Sequence, residues 1–180
     1  MIRLFDNVLE IAEANKIHET ITSNDFPWFI SKEEKVSGLN KFYTKPCFSH
    51  HQFTHVLYNE DGIRSDYFPM FQKYIKHFCE KYNISGTLYR SKLNCQYQDG
   101  RSLHSYNPVH IDCDEPHTSI LYYINESDGD TIYFKGEKEI QRVRPQKNCM
   151  VIVDGPQDHC SSNPITTELR YVFNTVILNK

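Results

Sequence analysis

The chain has 180 residues, 39% of them hydrophobic and 24% charged, and a formal net charge of −3. That length fits one domain over 1–180 with a core large enough to need no disulfide staple. The slight acidic excess argues against a nucleic-acid surface, and no apolar run approaches the roughly 20 residues that cross a bilayer.

Twelve Tyr and eleven Phe tilt the chain toward sheet. Six cysteines, at 47, 79, 95, 113, 149 and 160, form no C-x-x-C pair, which disfavours a thiolate zinc site. The first residues lack the apolar segment of a signal peptide. The expectation is therefore a cytoplasmic protein with reduced thiols and no membrane partner.

In chain order, the spacing of Val8, Leu9, Ala12, Ile17 and Ile21 predicts a helix over 6–22, capped by Asp6 or Asn7. Phe26-Pro27-Trp28 reads as an aromatic anchor of that helix to the core. Lys32-Glu33-Glu34-Lys35 mixes charge signs, as a solvated face does. His50-His51-x-x-x-His55 has the look of a metal patch, but packing or solvation is the better reading. A second helix over 66–82 carries Tyr67, Phe71, Tyr74, Ile75 and Phe78 at spacings of three and four, with Ser65 or Asp66 as cap and Pro69 in its first turn.

From residue 86 the texture changes. Strands are predicted over 87–97, 118–125, 131–135, 139–144, 149–154 and 169–178, separated by turns such as Asp99-Gly100 and Asp154-Gly155-Pro156. The architecture this implies is mainly β: a helical support region over 1–85, then a β-sandwich of jelly-roll type over 86–180.

The chemistry concentrates in His110-Ile111-Asp112. In an extended chain, alternate side chains share a face, so an imidazole and a carboxylate point the same way. They can take adjacent positions on one metal ion. A third ligand must come from elsewhere, and His159, after a strand and a Gly155-Pro156 turn, is the best placed. Two histidines and one carboxylate leave the opposite face of the ion open, as non-haem iron oxygenases require.

Arg170 follows 11 residues later, at the head of an apolar, β-prone segment. A buried arginine needs a partner of matching geometry, and its fork suits a carboxylate. An internal salt bridge or an exposed strand end would also account for it. Asp114 and His117, beside the motif, read as loop or rim residues. Arg101 and His104 fall in the preceding loop, where substrate recognition often resides.

Taken in order, His110-x-Asp112, His159 and Arg170 resemble the Fe(II)/2-oxoglutarate-dependent dioxygenase superfamily. Ile120-Leu121-Tyr122-Tyr123-Ile124-Asn125, Ser127-Asp128-Gly129-Asp130-Thr131 and the run from Val143 to Gly155 resemble its prolyl-4-hydroxylase-like branch, including short members common in phages. The likeness covers about residues 90–178 and implies a double-stranded β-helix (jelly roll).

It also implies that His110, Asp112 and His159 bind Fe(II) and that Arg170 holds the distal carboxylate of 2-oxoglutarate. Tyr123, Tyr97 and Asn94 are further implied contacts of the cosubstrate. Strand alternation sets Leu93, Cys95 and Tyr97 on one face and Asn94, Gln96 and Gln98 on the other. Valine at 176 departs from the nucleic-acid demethylase branch, which carries an arginine there, and the presence of Asp112 favours hydroxylation over halogenation.

The implied cofactors are Fe(II), 2-oxoglutarate and O2, with ascorbate as an optional stimulant. The implied substrate is a peptide or protein side chain such as proline, or a small molecule, with nucleic acid less favoured; a phage origin would place the protein in the host cytoplasm. Competing readings are a zinc hydrolase built on the same triad and a non-catalytic jelly-roll binding module. Substrate identity and oligomeric state stay open.

Overall fold

The computed structural model describes residues 1–32, 51–100 and 106–180. Two helices, α1 (Ile11–Thr22) and α2 (Phe68–Lys81), lie with eleven strands: β1 (Ile2–Phe5), β2 (Phe29–Lys32), β3 (His51–Asn59), β4 (Gly62–Ile63), β5 (Thr87–Tyr97), β6 (His117–Tyr123), β7 (Thr131–Lys135), β8 (Lys138–Val143), β9 (Cys149–Asp154), β10 (His159–Ser161) and β11 (Leu169–Leu178). The larger sheet runs β1-β9-β6-β11-β5-β3-β2, with β4 paired to β3, and the smaller runs β10-β7-β8. All pairings are antiparallel.

The pleat sorts side chains into layers. Along β6, Ile120 and Tyr122 join the core beneath the helices, while Leu121 and Tyr123 face the smaller sheet. Both faces of that strand are covered, which is why all seven of its residues are buried. On β11, Tyr171, Phe173 and Ile177 face the helices, and Val172 faces inward. Arg170 and Asn174 share the parity of Val172 and so point into the space between the sheets. That space holds the candidate site.

The helices cover the outer face. Ala14, Ile17 and Ile21 form the buried stripe of α1, and Phe71, Tyr74, Ile75 and Phe78 that of α2. Phe71 packs on Phe173 at 5.0 Å between ring centroids, and Phe78 on Tyr122 at 5.6 Å. The Phe26-Trp28 anchor works as expected. The Trp28 indole donates to Ile21 O at 3.0 Å and stacks on Tyr171 at 5.7 Å.

The N-terminal region departs from the purely helical expectation. Ile2–Phe5 pairs with β9 as an edge strand, so helix α1 begins at Ile11 rather than near residue 6. The Asn148 side chain accepts from Leu9 N at 3.0 Å and donates to Leu9 O at 2.8 Å, fixing residues just ahead of the helix in a loop. Neither Asp6 nor Asn7 caps it; Asn7 adopts φ 51° instead. Ser65 accepts from Tyr67 N at 3.0 Å, one residue before α2. β2, β3 and β4 also come from this region and extend the larger sheet.

His55 lies in β3. Its ring sits 2.7 Å from Pro27 O and 2.6 Å from the Ser65 hydroxyl and packs on Phe26, a structural role. His50 and the side chain of His51 lie outside the described residues, as do Arg101 and His104. Gly86 is required by close approach: its φ is +152° and a Cβ would stand 2.0 Å from Leu178 O.

Candidate metal centre and anion pocket

His110 and His159 are joined by an isolated antiparallel bridge, with His110 N donating to His159 O and His159 N to His110 O, each at 2.9 Å. This pairing of the segment before Asp112 with β10 sets the imidazoles side by side, 4.6 Å between centroids. Asp112 follows in a bend that turns its carboxylate toward them. One ligand atom from each of His110, Asp112 and His159 lies within 4.8 Å of the others.

The supporting contacts suit metal ligation. His110 Nδ1 is 3.0 Å from Pro108 O and His159 Nδ1 is 2.8 Å from Gln157 O. A carbonyl can only accept, so each Nδ1 carries the proton and each Nε2 carries the lone pair that binds a metal.

Asp112 is buried, and burial alone would push its carboxyl up. The adjacent His159, the Arg90 guanidinium, His110 and the Ser119 hydroxyl outweigh that and hold it well below the usual carboxylate range. An anionic, buried carboxylate beside two imidazoles whose Nδ1 atoms are engaged by carbonyls is a donor set for a divalent cation of the iron or zinc kind.

Arg170 is 4% exposed and lines the same cavity of about 60 Å³, room for a handful of waters. Its Nε donates to Gly129 O at 2.7 Å, Nη1 to Gln96 Oε1 at 2.6 Å and Nη2 to Thr131 Oγ1 at 2.7 Å. All three acceptors are neutral, and among the described residues no carboxylate pairs with it. The alternatives of an internal salt bridge or an exposed strand end therefore do not hold. Burial lowers the guanidinium's pKa, and the nearby Tyr123, Tyr133 and Asp130 offset that only in part. A cationic fork in a cavity that also holds a triad of metal ligands makes a candidate anion site.

Further lining residues show polar atoms with nothing to bind. Asn94, Asn107 and Asn174 line the cavity, and the Oδ1 of each is buried without a hydrogen-bond partner. Orphaned acceptors of this kind point to a ligand.

The other predicted contacts divide. Asn94 lies in the cavity wall. Tyr123 lies one layer behind it: its hydroxyl donates to Thr131 Oγ1 at 2.8 Å, and Arg170 sits 5.8 Å over its ring. Tyr123 thus orients Thr131 and the arginine. Tyr97 lies elsewhere. Its parity is that of Leu93 and Cys95, the helix-side face, and it packs on Phe53 at 6.0 Å, away from the cavity. Asp114 is an exposed loop residue, but His117 is 1% exposed and opens β6, so it is not on the rim.

Arg90, Ser119, Thr131 and Gln96 were not singled out by sequence reasoning. The polar alternation Arg90-Lys92-Asn94-Gln96 along β5 was the available signal, since a strand facing water on neither side should not carry it.

No family model matches the chain, and no curated protein is detectably similar to it. Solved structures are similar in fold. An oxidoreductase of the 2OG-Fe(II) oxygenase family from Burkholderia pseudomallei aligns with a TM-score of 0.71 at 8% identity, covering 98% of this chain and 84% of that one. A Trichoplax adhaerens prolyl hydroxylase, in complex with a hypoxia inducible factor peptide fragment, aligns at 0.70 and 10% identity over 98% and 83%. A Pseudomonas putida prolyl-4-hydroxylase aligns at 0.65 and 11% identity over 99% and 92%. The chain has the double-stranded β-helix fold of the 2-oxoglutarate/Fe(II) oxygenase structures, prolyl hydroxylases among them.

Proposed function

We propose that the protein is an Fe(II)- and 2-oxoglutarate-dependent oxygenase that hydroxylates a C–H bond, with a peptidyl side chain such as proline as the first substrate class to test. One observation carries the reading. A His-Asp-His ligand set and a buried arginine with no carboxylate partner face a single cavity. A zinc hydrolase needs only the triad for its chemistry; a dicarboxylic cosubstrate needs both the triad and the arginine.

His110, Asp112 and His159 would hold the metal, and bound Fe(II) with 2-oxoglutarate would supply the O2-activating chemistry. The chain's own residues do the rest. Arg170 would hold the distal carboxylate by charge-assisted hydrogen bonds and so set the cosubstrate's reach. Thr131, bonded by both Arg170 and Tyr123, keeps the fork in plane. Pro108 O and Gln157 O fix both imidazole tautomers. Val172 and Leu121 supply apolar wall that excludes water from the cavity.

The test is succinate formation from 2-oxoglutarate by purified protein with Fe(II), ascorbate and O2, first without substrate and then with proline-containing peptides. Succinate that disappears in His110→Ala and in Asp112→Ala supports the reading. Bound zinc with no succinate at any Fe(II) concentration overturns it in favour of the hydrolase.

A further inference from the structure

The two oxygens of Asp112 are held differently. Oδ1 accepts from Arg90 Nη2 at 2.9 Å and from Asn174 Nδ2 at 3.3 Å. Oδ2 accepts from the Ser119 hydroxyl at 2.7 Å and stands 3.7 Å from His159 Nε2. An ionised carboxylate offers about two acceptor positions per oxygen. Oδ1 is therefore filled by two donors, while Oδ2 retains a position on the side of the imidazoles.

The three donors come from adjacent strands of one sheet. Arg90 on β5 and Ser119 on β6 are both register partners of Val176 on β11, and Asn174 lies two residues back on β11. Ladders on both sides of β11 hold this row, with a register irregularity on the β5 side just after Val176. Arg90 stands at its outer end, with its side chain 28% exposed against 2% for Asp112.

We propose that Arg90, seconded by Asn174, is a positioning residue that confines Asp112 to one-oxygen coordination through Oδ2. The inference rests on reading the triad as the Fe(II)/2-oxoglutarate site. Each position the carboxylate takes on the metal is one that the cosubstrate and O2 lose. A guanidinium on Oδ1 blocks the second oxygen from swinging in, and it draws charge from the carboxylate, which weakens the carboxylate's hold on the ion. Arg90 thus costs metal affinity and keeps open the positions on which a chelating keto acid depends.

That trade gives a split that support of the fold alone would not. In Arg90→Met, Fe(II) affinity measured anaerobically should match or exceed wild type, because the carboxylate no longer shares its charge with a guanidinium and its second oxygen is freed. Affinity of the Fe(II)-loaded protein for 2-oxoglutarate should fall by about tenfold, the low end for outer-shell changes at metal sites. Arg90→Lys, which keeps the charge, should recover most of the loss.

Unchanged 2-oxoglutarate affinity in Arg90→Met, or equal loss of metal and cosubstrate affinity, overturns the inference. If Arg90→Met does not fold by circular dichroism, Asn174→Leu removes the other Oδ1 donor, and an undiminished 2-oxoglutarate affinity there overturns it as well. Wild-type protein that binds Fe(II) but no 2-oxoglutarate overturns the functional reading itself, and this inference with it.

Discussion

Replacing Arg170 by methionine tests the anion pocket in isolation from the metal. A guanidinium has five N–H groups, and the structure uses one each on Nε, Nη1 and Nη2 for neutral acceptors. One N–H remains on each terminal nitrogen, the fork that a carboxylate bridges. Two charge-assisted hydrogen bonds at their low end contribute about 3 kcal/mol together, which is roughly a hundredfold in affinity.

The assay is thermal melting of metal-loaded protein. At a 2-oxoglutarate concentration of about 100 times the wild-type Kd, the ligand should stabilise wild type by about 2.7 kcal/mol. For a chain of this size that raises Tm by about 5–10 °C. With affinity down a hundredfold, the same concentration equals the variant's Kd and stabilises it by only about 0.4 kcal/mol, a rise of about 1 °C. Metal alone should shift both proteins equally. An Arg170→Met protein that keeps the full 2-oxoglutarate shift would refute the assignment.

Four further outcomes follow from particular contacts. At Gly129, a Cβ would stand 2.8 Å from Ser162 O and 2.9 Å from Arg170 Cδ, so Gly129→Ala should weaken 2-oxoglutarate binding by displacing the arginine while leaving metal affinity intact, as read by calorimetry. Tyr97→Phe should leave cosubstrate affinity unchanged, since that ring packs on Phe53; a tenfold loss would return Tyr97 to the site. Tyr123→Phe removes one hydrogen bond to Thr131 and should lower stability by about 1 kcal/mol in a urea melt, with a smaller effect on cosubstrate than Arg170→Met.

The fourth concerns pH. Burial would raise the Asp128 carboxyl, but bonds from Thr166, Ile165 and Thr167 hold it well below the usual carboxylate range. A depressed group contributes stability that is fully present above the unfolded value, about 3.9, and is lost as pH falls through the folded one. Asp128→Ala should therefore cost about 0.5–2 kcal/mol at neutral pH, as other carboxylates capping backbone N–H groups do. The gap to wild type should narrow progressively in acid; a gap that widens there would contradict the assignment.

The second half of the chain was the more legible part of the fold. Strands β5 and β11 fall at 87–97 and 169–178 as expected, because long β-prone runs end at clear turn residues. The first half misled for local reasons. Ile2–Phe5 is four residues long and sits against a helical pattern, so the helix reading absorbed it. His51–Asn59 carries two histidines, a glutamine and an asparagine, and its pairing with β5 is what makes it a strand.

At the site, His110 and Asp112 share a face by spacing, but their meeting with His159 depends on a bridge across 49 residues. Alternation along β5 did separate Tyr97 from Asn94 and Gln96. Which face looks inward was settled only by the helices covering Leu93 and Cys95. Arg90 reaches Asp112 because β5 passes beside the bend that carries Asp112, which no spacing within the chain reveals.

The central claim is that His110, Asp112 and His159 bind Fe(II) to which 2-oxoglutarate chelates. Anaerobic visible spectroscopy of the purified protein tests it most directly. The account predicts a charge-transfer band that appears only when both Fe(II) and 2-oxoglutarate are present and is absent in folded His110→Ala. Folded wild-type protein that shows no such band, with both components at saturating concentration, would contradict it.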